Sequence, residues 1–346
     1  MSEPWFWRGQ SAAARAMRAA LAPAAFLYGA GQRLRWRMAA PADAGVPVIC
    51  VGAAVIGGAG KTPFCLLLQR LLAAEGIDAH FLTRGYKGAL QGPIIVNAQH
   101  TPDDAGDEAL LLAAAAPTWV AKNRAAGARA AAKAGADVVI MDDGFQNPSV
   151  TKAVSFLLLT GEEARLARFP AGPLRETVQT AMTRAEAVVF SSLENGRLAR
   201  PPGEAEPSVS RRDRVDGGRV REGSPVAREG DAAFAVLPQI TPTIAPQPVA
   251  AFCGIARPER FFGGLEKAGF SLAAREAFAD HHPFSEHEID RLRARAKAES
   301  AALITTEKDF VRLSPADREG IAVARLRLEA EDPAALVRFV RERINR

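Results

Sequence analysis

The chain has 346 residues, 48% hydrophobic and 24% charged, which is long enough for two domains and composed like a packed globular protein. This balance excludes disordered, collagen-like and disulfide-scaffold classes. Cys50, Cys65 and Cys253 fit neither a paired metal spacing nor a complete disulfide set, which points to a reducing, cytosol-facing compartment. Six Arg against one Glu in the first forty residues account for the whole net charge of +5, so no basic face for nucleic acid is expected on the body.

The N-terminal segment opens with Trp5, Phe6 and Trp7 and runs uncharged from Ala19 to Gln32 before Arg33, Arg35, Trp36 and Arg37. A spanning helix needs about 20 apolar residues, and Pro23 interrupts this shorter run. Residues 1–40 are therefore expected to form an amphipathic helix on an anionic membrane surface, with its Trp and Arg side chains at headgroup depth. Scarce Leu, Ile and Val argue against a cleaved signal peptide. The plainer alternative is an Ala-rich helix packed on the body.

Beyond residue 40, Val46 to Val51 reads as a strand leading into glycines and then a helix from Pro63 to Glu75. A strand from Ile77 to Thr83 follows, then helices at Glu108 to Ala116 and Ala125 to Ala134. Three further strands are expected at Asp137 to Met141, Val154 to Leu159 and Ala187 to Ser191. Short apolar strands alternating with helices predict an α/β fold, with a three-layer α/β/α phosphate-loop domain over residues 41–199 built on a mostly parallel sheet. Residues 200–247, rich in Arg, Glu, Gly and Pro up to Asp231, read as a linker or exposed hairpin. A smaller α/β domain is expected over residues 248–346, with strands from Pro248 and from Ala302 to Thr305, a helix from Glu286 to Glu299 and a closing helix from Pro333 to Ile344.

Gly57-Gly58-Ala59-Gly60-Lys61-Thr62, set between strand and helix, has the chemistry of a phosphate-cradling loop. Its glycines admit backbone N–H groups to phosphate oxygens, and the helix N-terminus adds its dipole. In this pattern Lys61 reaches the β and γ phosphates and Thr62 offers its hydroxyl to Mg²⁺, although Val55 replaces the first glycine. Asp142 and Asp143, at the end of the Asp137 to Met141 strand, would lie beside that loop, and one of them is expected to hold the metal. No guanine-specificity motif follows a lysine, and Pro63 stands where a dinucleotide fingerprint needs its third small residue.

Together these motifs resemble the tetraacyldisaccharide 4′-kinase family. The match runs through Gly57 to Pro63, Thr83 to Tyr86, Gly106-Asp107-Glu108, Asp142 to Gln146, Pro170 to Glu176, Gly254 to Phe262, Asp280-His281-His282 and Thr306 to Asp309. The resemblance implies an ATP- and Mg²⁺-dependent kinase acting on the 4′-hydroxyl of an acylated glucosamine disaccharide 1-phosphate, on the cytoplasmic face of the inner membrane. It needs no nucleic acid and no obligate protein partner. The resemblance also implies that Asp107 and His281 are a catalytic pair orienting and deprotonating the hydroxyl. Gly57 to Pro63, Asp142, Asp143 and Gln146 would form the nucleotide site, and Glu108, Arg124, Arg175 and Glu176 the substrate or phosphate contacts.

For the Arg and Glu residues the competing reading is a structural ion pair. Ala53, Val55 and Asn147 depart from the family's usual residues. Asp280, His281, His282 and His287 lack the ligand spacing of a zinc site, and Lys308-Asp309 reads as structural. The functional alternative is a phosphate-loop ATPase or metallochaperone acting on a protein partner.

Overall fold

The computed structural model describes residues 3–190 apart from 162, residues 232–346, and the backbone alone at 193–194 and 197–198. A short helix α1 (Trp5–Arg8) and the long α2 (Ala12–Arg37) lead into β1 (Val48–Ala53), α3 (Lys61–Ala74), β2 (Ala79–Thr83) and β3 (Ile94–Ile95). There follow α4 (Pro102–Ala105), α5 (Asp107–Ala113), β4 (Thr118–Val120), α6 (Arg124–Lys133), β5 (Val138–Asp142), β6 (Val154–Leu159), α7 (Val178–Met182) and β7 (Ala187–Phe190). A ribbon of β8 (Leu193–Glu194) and β9 (Arg197–Leu198) precedes β10 (Ala232–Pro242), β11 (Pro248–Cys253), α8 (Pro258–Lys267) and β12 (Ser271–Ala277). The chain ends with α9 (Glu286–Ala298), β13 (Ala302–Thr306), α10 (Glu307–Phe310), β14 (Ile321–Ala330) and α11 (Pro333–Ile344).

The expected α/β architecture is present as one continuous twelve-stranded sheet in the order β12-β11-β13-β14-β10-β7-β6-β1-β5-β2-β4-β3. Parallel pairs run from β4 to β10 and from β14 to β12, and the two blocks meet at the antiparallel β10/β14 pair. Strands buried on both faces read as unbroken apolar runs, and β1, β5 and β6 are buried at every position.

Residues 232–242 correct the linker reading, because they form a strand that joins the two blocks. Ala232 to Ala235 pair with β7, while Val236 to Pro242 pair with β14. Two prolines and a polar second half hide this strand from a periodicity argument. Residues 200–231 of the expected linker lie outside the described residues.

The closing helix α11 folds back onto the first block. Leu336, Phe339 and Val340 join the core of β1, β5 and β6, with Phe339 packed 5.9 Å from Phe156 and 5.2 Å from Phe234 between ring centres. Helix α2 runs through Pro23 and buries only Ala14, Ala25 and Gly29, whereas Phe26, Leu27, Leu34 and Met38 are exposed. Trp7 donates its ring N–H to the carbonyl of Pro170 at 3.1 Å, and Tyr28 and Trp7 meet Phe169 edge-on. Trp36 is covered by the Arg184 guanidinium at 4.5 Å. No helix of the described residues is long and apolar enough to cross a membrane.

Candidate active site

The first half of the site is built at the carboxyl ends of β1 and β5. Gly57, Gly58 and Gly60 take φ values of +72°, +61° and +80°, conformations that side-chain-bearing residues rarely adopt, and α3 starts directly at Lys61. Val55, at the position where the pattern has glycine, is buried and bridges to Leu174, so it fastens the loop to the 170–176 segment. The Thr62 hydroxyl donates to Oδ2 of Asp142 at 2.8 Å. Oδ1 of Asp142 is buried with no hydrogen-bond partner among the described residues. Burial first, and then the nearby charges of Glu108 and Asp143, push the Asp142 carboxyl up to about 7.

Asp143 behaves in the opposite way. It sits at φ +52°, accepts two hydrogen bonds from Arg175 at 2.7 and 2.9 Å, and lies 3.5 Å from Lys61 Nζ. Burial alone would raise its pKa, but the Lys61 and Arg175 cations outweigh burial and hold it well below the usual carboxylate range. Gln146 ties this corner together. Its amide donates to the Ala53 carbonyl at 2.9 Å and to Glu176 at 3.1 Å, and its oxygen accepts from Arg175 at 3.0 Å. Glu176 also pairs with Arg184 at 2.5 Å, so Arg175 and Glu176 both brace the loop through Gln146. Asn147 accepts from Ser149 in its own turn.

Arg124 stands apart from this hydrogen-bonded corner. It is buried at the start of α6, donates to the Ala121 carbonyl, and leaves its Nε without a partner among the described residues. Burial, with Arg84 nearby, lowers its pKa to about 10, while Asp143 and Asp142 counteract that shift. Ala59 is buried in the core, and Pro63 follows Thr62 in the first turn of α3.

The second half of the site comes from the loops after β12 and β13. His281, held at φ +61°, puts Nδ1 3.0 Å from Oδ2 of Asp107, which is the first residue of α5 and 4% exposed. Oδ1 of Asp107 accepts from the Glu108 N–H at 3.0 Å. Arg312 donates to Oδ2 of Asp107 through Nη2 and through Nε at 3.1 Å, and its Nη1 reaches Asp309 at 2.7 Å and the Gly254 carbonyl at 3.1 Å. Lys308 lies 3.3 Å from Glu108 and 3.4 Å from His281 Nε2. Burial would raise the Asp107 carboxyl, but the His281 hydrogen bond and the Lys308 and Arg312 charges hold it far below its ordinary value.

The sequence reading therefore missed two residues. Lys308 joins Glu108 to His281, and Arg312 belongs to no motif but follows Lys308 at helical i,i+4 spacing. His282 turns away to pair with Glu288 at 3.0 Å and to stack on Phe278. Among the described residues no group of three or more His, Cys, Asp or Glu is arranged to hold a metal ion.

A model of the tetraacyldisaccharide-1-P 4′-kinase family matches residues 17–345. The chain is 45% identical over 342 residues to the tetraacyldisaccharide 4′-kinase of Parvibaculum lavamentivorans, covering 97% of this chain and 92% of the relative. It is 43% identical over 346 residues to that of Rhodospirillum centenum, covering 98% and 96%. In fold it is similar to the solved "apo" form of LpxK from Aquifex aeolicus in complex with ATP, with a TM-score of 0.72 and 23% identity over 94% of this chain and 99% of that one. With a family match across nearly the whole length and near-full-length relatives well above 30% identity, the chain belongs to the tetraacyldisaccharide-1-P 4′-kinase family.

Proposed function

We propose that this chain transfers the γ-phosphoryl group of ATP to the 4′-hydroxyl of tetraacyldisaccharide 1-phosphate, in the synthesis of lipid A. The observation that carries the reading is the meeting of Asp107 and His281 beside the phosphate loop, a proton-accepting pair assembled from both halves of the sheet. Phosphoryl transfer needs in-line positioning, charge neutralisation and a place for the hydroxyl proton. Lys61 and the backbone N–H groups of Gly57 to Gly60 take the β and γ phosphates. Asp143, itself held by Arg175, pairs with Lys61.

The residues present suit Mg²⁺. The buried oxygen of Asp142 that has no partner among the described residues, and the Thr62 hydroxyl, would hold it, whereas Asp143 is already occupied by two cations. When bound, the ion neutralises charge on the β and γ phosphate oxygens. With Nδ1 of His281 donating to Asp107, Nε2 is left as the basic nitrogen that takes the hydroxyl proton. Asp107, held ionised by Arg312 and Lys308, orients the ring and stabilises its protonated form. Glu108 and Arg124, whose charges act on the Asp142 and Asp143 corner, serve in this reading as acceptor or phosphate contacts.

The exposed Phe26, Leu27 and Leu34 of α2 and Met38 just after it, with the arginines of the helix, seat the body on the cytoplasmic face of the inner membrane without crossing it. Residues 41–199 supply the donor site and residues 248–346 supply His281, so the two lobes close on ATP and lipid together. Family membership favours this reading over an ATPase that drives a protein partner.

The test is to incubate detergent-solubilised protein with γ-labelled ATP, Mg²⁺ and tetraacyl disaccharide 1-phosphate. Label is expected in the lipid with wild type and not with Lys61→Ala. ATP consumption with no labelled lipid contradicts the proposal.

A further inference from the structure

The phosphate loop is approached from the far side of the site by Arg257, a residue of the Gly254 to Phe262 stretch to which no role was given. A Cβ built on Gly58, a residue at φ +61°, would lie 3.3 Å from Nε, 3.5 Å from Cδ and 3.9 Å from Cγ of Arg257. The stem and Nε of Arg257 therefore occupy the space that a side chain on Gly58, three positions before Lys61, would fill. Arg257 belongs to the other block of the sheet, at the N-cap of α8 and just after β11.

The local sequence holds it there. Pro258 occupies the first helical position and restricts the residue before it to extended backbone, and Arg257 has φ −134° and ψ 75°. The segment starts at Gly254, where a Cβ would meet Asp309 Oδ1 and His282 Cβ at 3.2 Å and the Ala279 carbonyl at 3.1 Å. The Gly254 carbonyl accepts from the His281 N–H at 3.0 Å and from Arg312 at 3.1 Å. The loop that presents Arg257 to the phosphate loop is thus tied to the network that positions His281.

We infer that Arg257 is a phosphate-contacting residue, the cation that the second half lays over the transferring phosphoryl group of the nucleotide. This rests on the kinase reading above. As the bond from the γ phosphorus to the β,γ-bridging oxygen breaks and the bond to the 4′ oxygen forms, negative charge moves onto oxygens beside the loop. Arg257 neutralises it and neither gives nor takes a proton. Lys61 and Arg175 both meet Asp143 on the first block, and Arg257 brings a third cation to the loop from the opposite block. An arginine delivered in cis to a phosphate loop acts in this way in other nucleotide-hydrolysing folds, where it is worth roughly 10³-fold or more in turnover. The contact also links the nucleotide site to the proton-accepting pair, because the segment carrying Arg257 begins at Gly254, whose carbonyl accepts from the His281 N–H.

Arg257→Gln in the full chain tests this, with three readouts. The expected result is a fall in lipid-phosphorylation kcat of roughly 10²–10³-fold. ADP affinity should change by less than about threefold, because the contact forms with the transferring group. Third, the trapped complex of Mg·ADP with aluminium fluoride, which forms on wild type, should be lost. A merely structural role would lower thermal stability and ADP affinity together and would leave no selective loss of the trapped complex. If Arg257→Gln does not fold, Arg257→Lys keeps the stem and the charge, and a loss of at least tenfold in kcat sustains the inference because Lys lacks the planar fork. Wild-type turnover retained by Arg257→Gln, or by Arg257→Lys where that variant stands in, overturns it. A wild type that labels no lipid sinks the kinase reading itself, which separates the two failures.

Discussion

His281 Nδ1 and Arg312 Nη2 converge on the same oxygen, Oδ2 of Asp107, from two different loops of the second block, and they lie 3.3 Å from each other. The carboxylate is thus a junction where the second half grips the first residue of α5. Arg312 also holds Asp309, which is fully buried. Arg312→Ala leaves both carboxylates short of a partner, and breaking such buried pairs typically costs about 3–5 kcal/mol. A matching fall in unfolding free energy by urea titration is expected, together with a lower transfer rate. A variant that is as stable as wild type contradicts the junction.

The same junction sets an acid-stability slope. The Asp107 carboxyl is depressed in the folded state, since the His281 hydrogen bond and the Lys308 and Arg312 charges outweigh burial. A depressed carboxyl contributes stability that is fully present above its unfolded pKa near 4, and that is lost as pH falls through the folded value. Between about pH 5 and pH 3 the unfolded state binds the extra proton, so wild type loses stability on acidification. Asp107→Asn has no such group and should show a shallower decline in thermal midpoint over that range. Equal slopes would mean that the pairing is absent in solution.

Helix α11 is held by aromatic packing far from its neighbours in sequence. Phe339 sits against Phe156 and Phe234 in the core of the first block. Phe339→Ala should cost about 3 kcal/mol through lost transfer energy and the cavity left behind. Chemical denaturation measures it, and a loss under about 1 kcal/mol would show that the helix does not depend on this seat.

The exposed face of α2 gives a membrane prediction. Leu27 and Leu34 are 69% and 57% exposed, so replacing both by Glu leaves the body intact. If each contributes about 1.5 kcal/mol on leaving water, partitioning onto anionic vesicles should fall by roughly a hundredfold. Unchanged co-sedimentation would assign membrane contact to another surface.

Much of this arrangement was legible in the sequence because its signals are local. The glycines before Lys61, the apolar run ending at Asp142 and the β6 and α11 boundaries each follow from a short pattern that one element satisfies alone. Strand β10 was not legible, because it alternates only over its first half and then carries polar residues and prolines where it pairs with β14. Strands β12 and β14 are largely exposed along one face or one end, and they take their identity from partners distant in sequence. At the site, Asp107 and His281 were identified through their motifs, but Arg312 carries no motif and is defined only by the tertiary meeting of α5 with the loop after β13. The roles of Asp142 and Asp143 separated for a similar reason. Adjacent in sequence, they differ because Arg175 reaches one, while an oxygen of the other has no partner among the described residues.

The central claim is that Asp107 and His281 act as one proton-accepting unit across the two halves. The most direct test is the rate of phosphoryl transfer to tetraacyl disaccharide 1-phosphate in Asp107→Ala, in His281→Ala and in the double variant, under single-turnover conditions. Each single change is expected to lower the rate by roughly 10²-fold or more, and the double variant to be about as slow as the slower single, because members of one catalytic unit are not additive. Losses that multiply in the double variant, or a single variant that keeps wild-type turnover, would contradict the account.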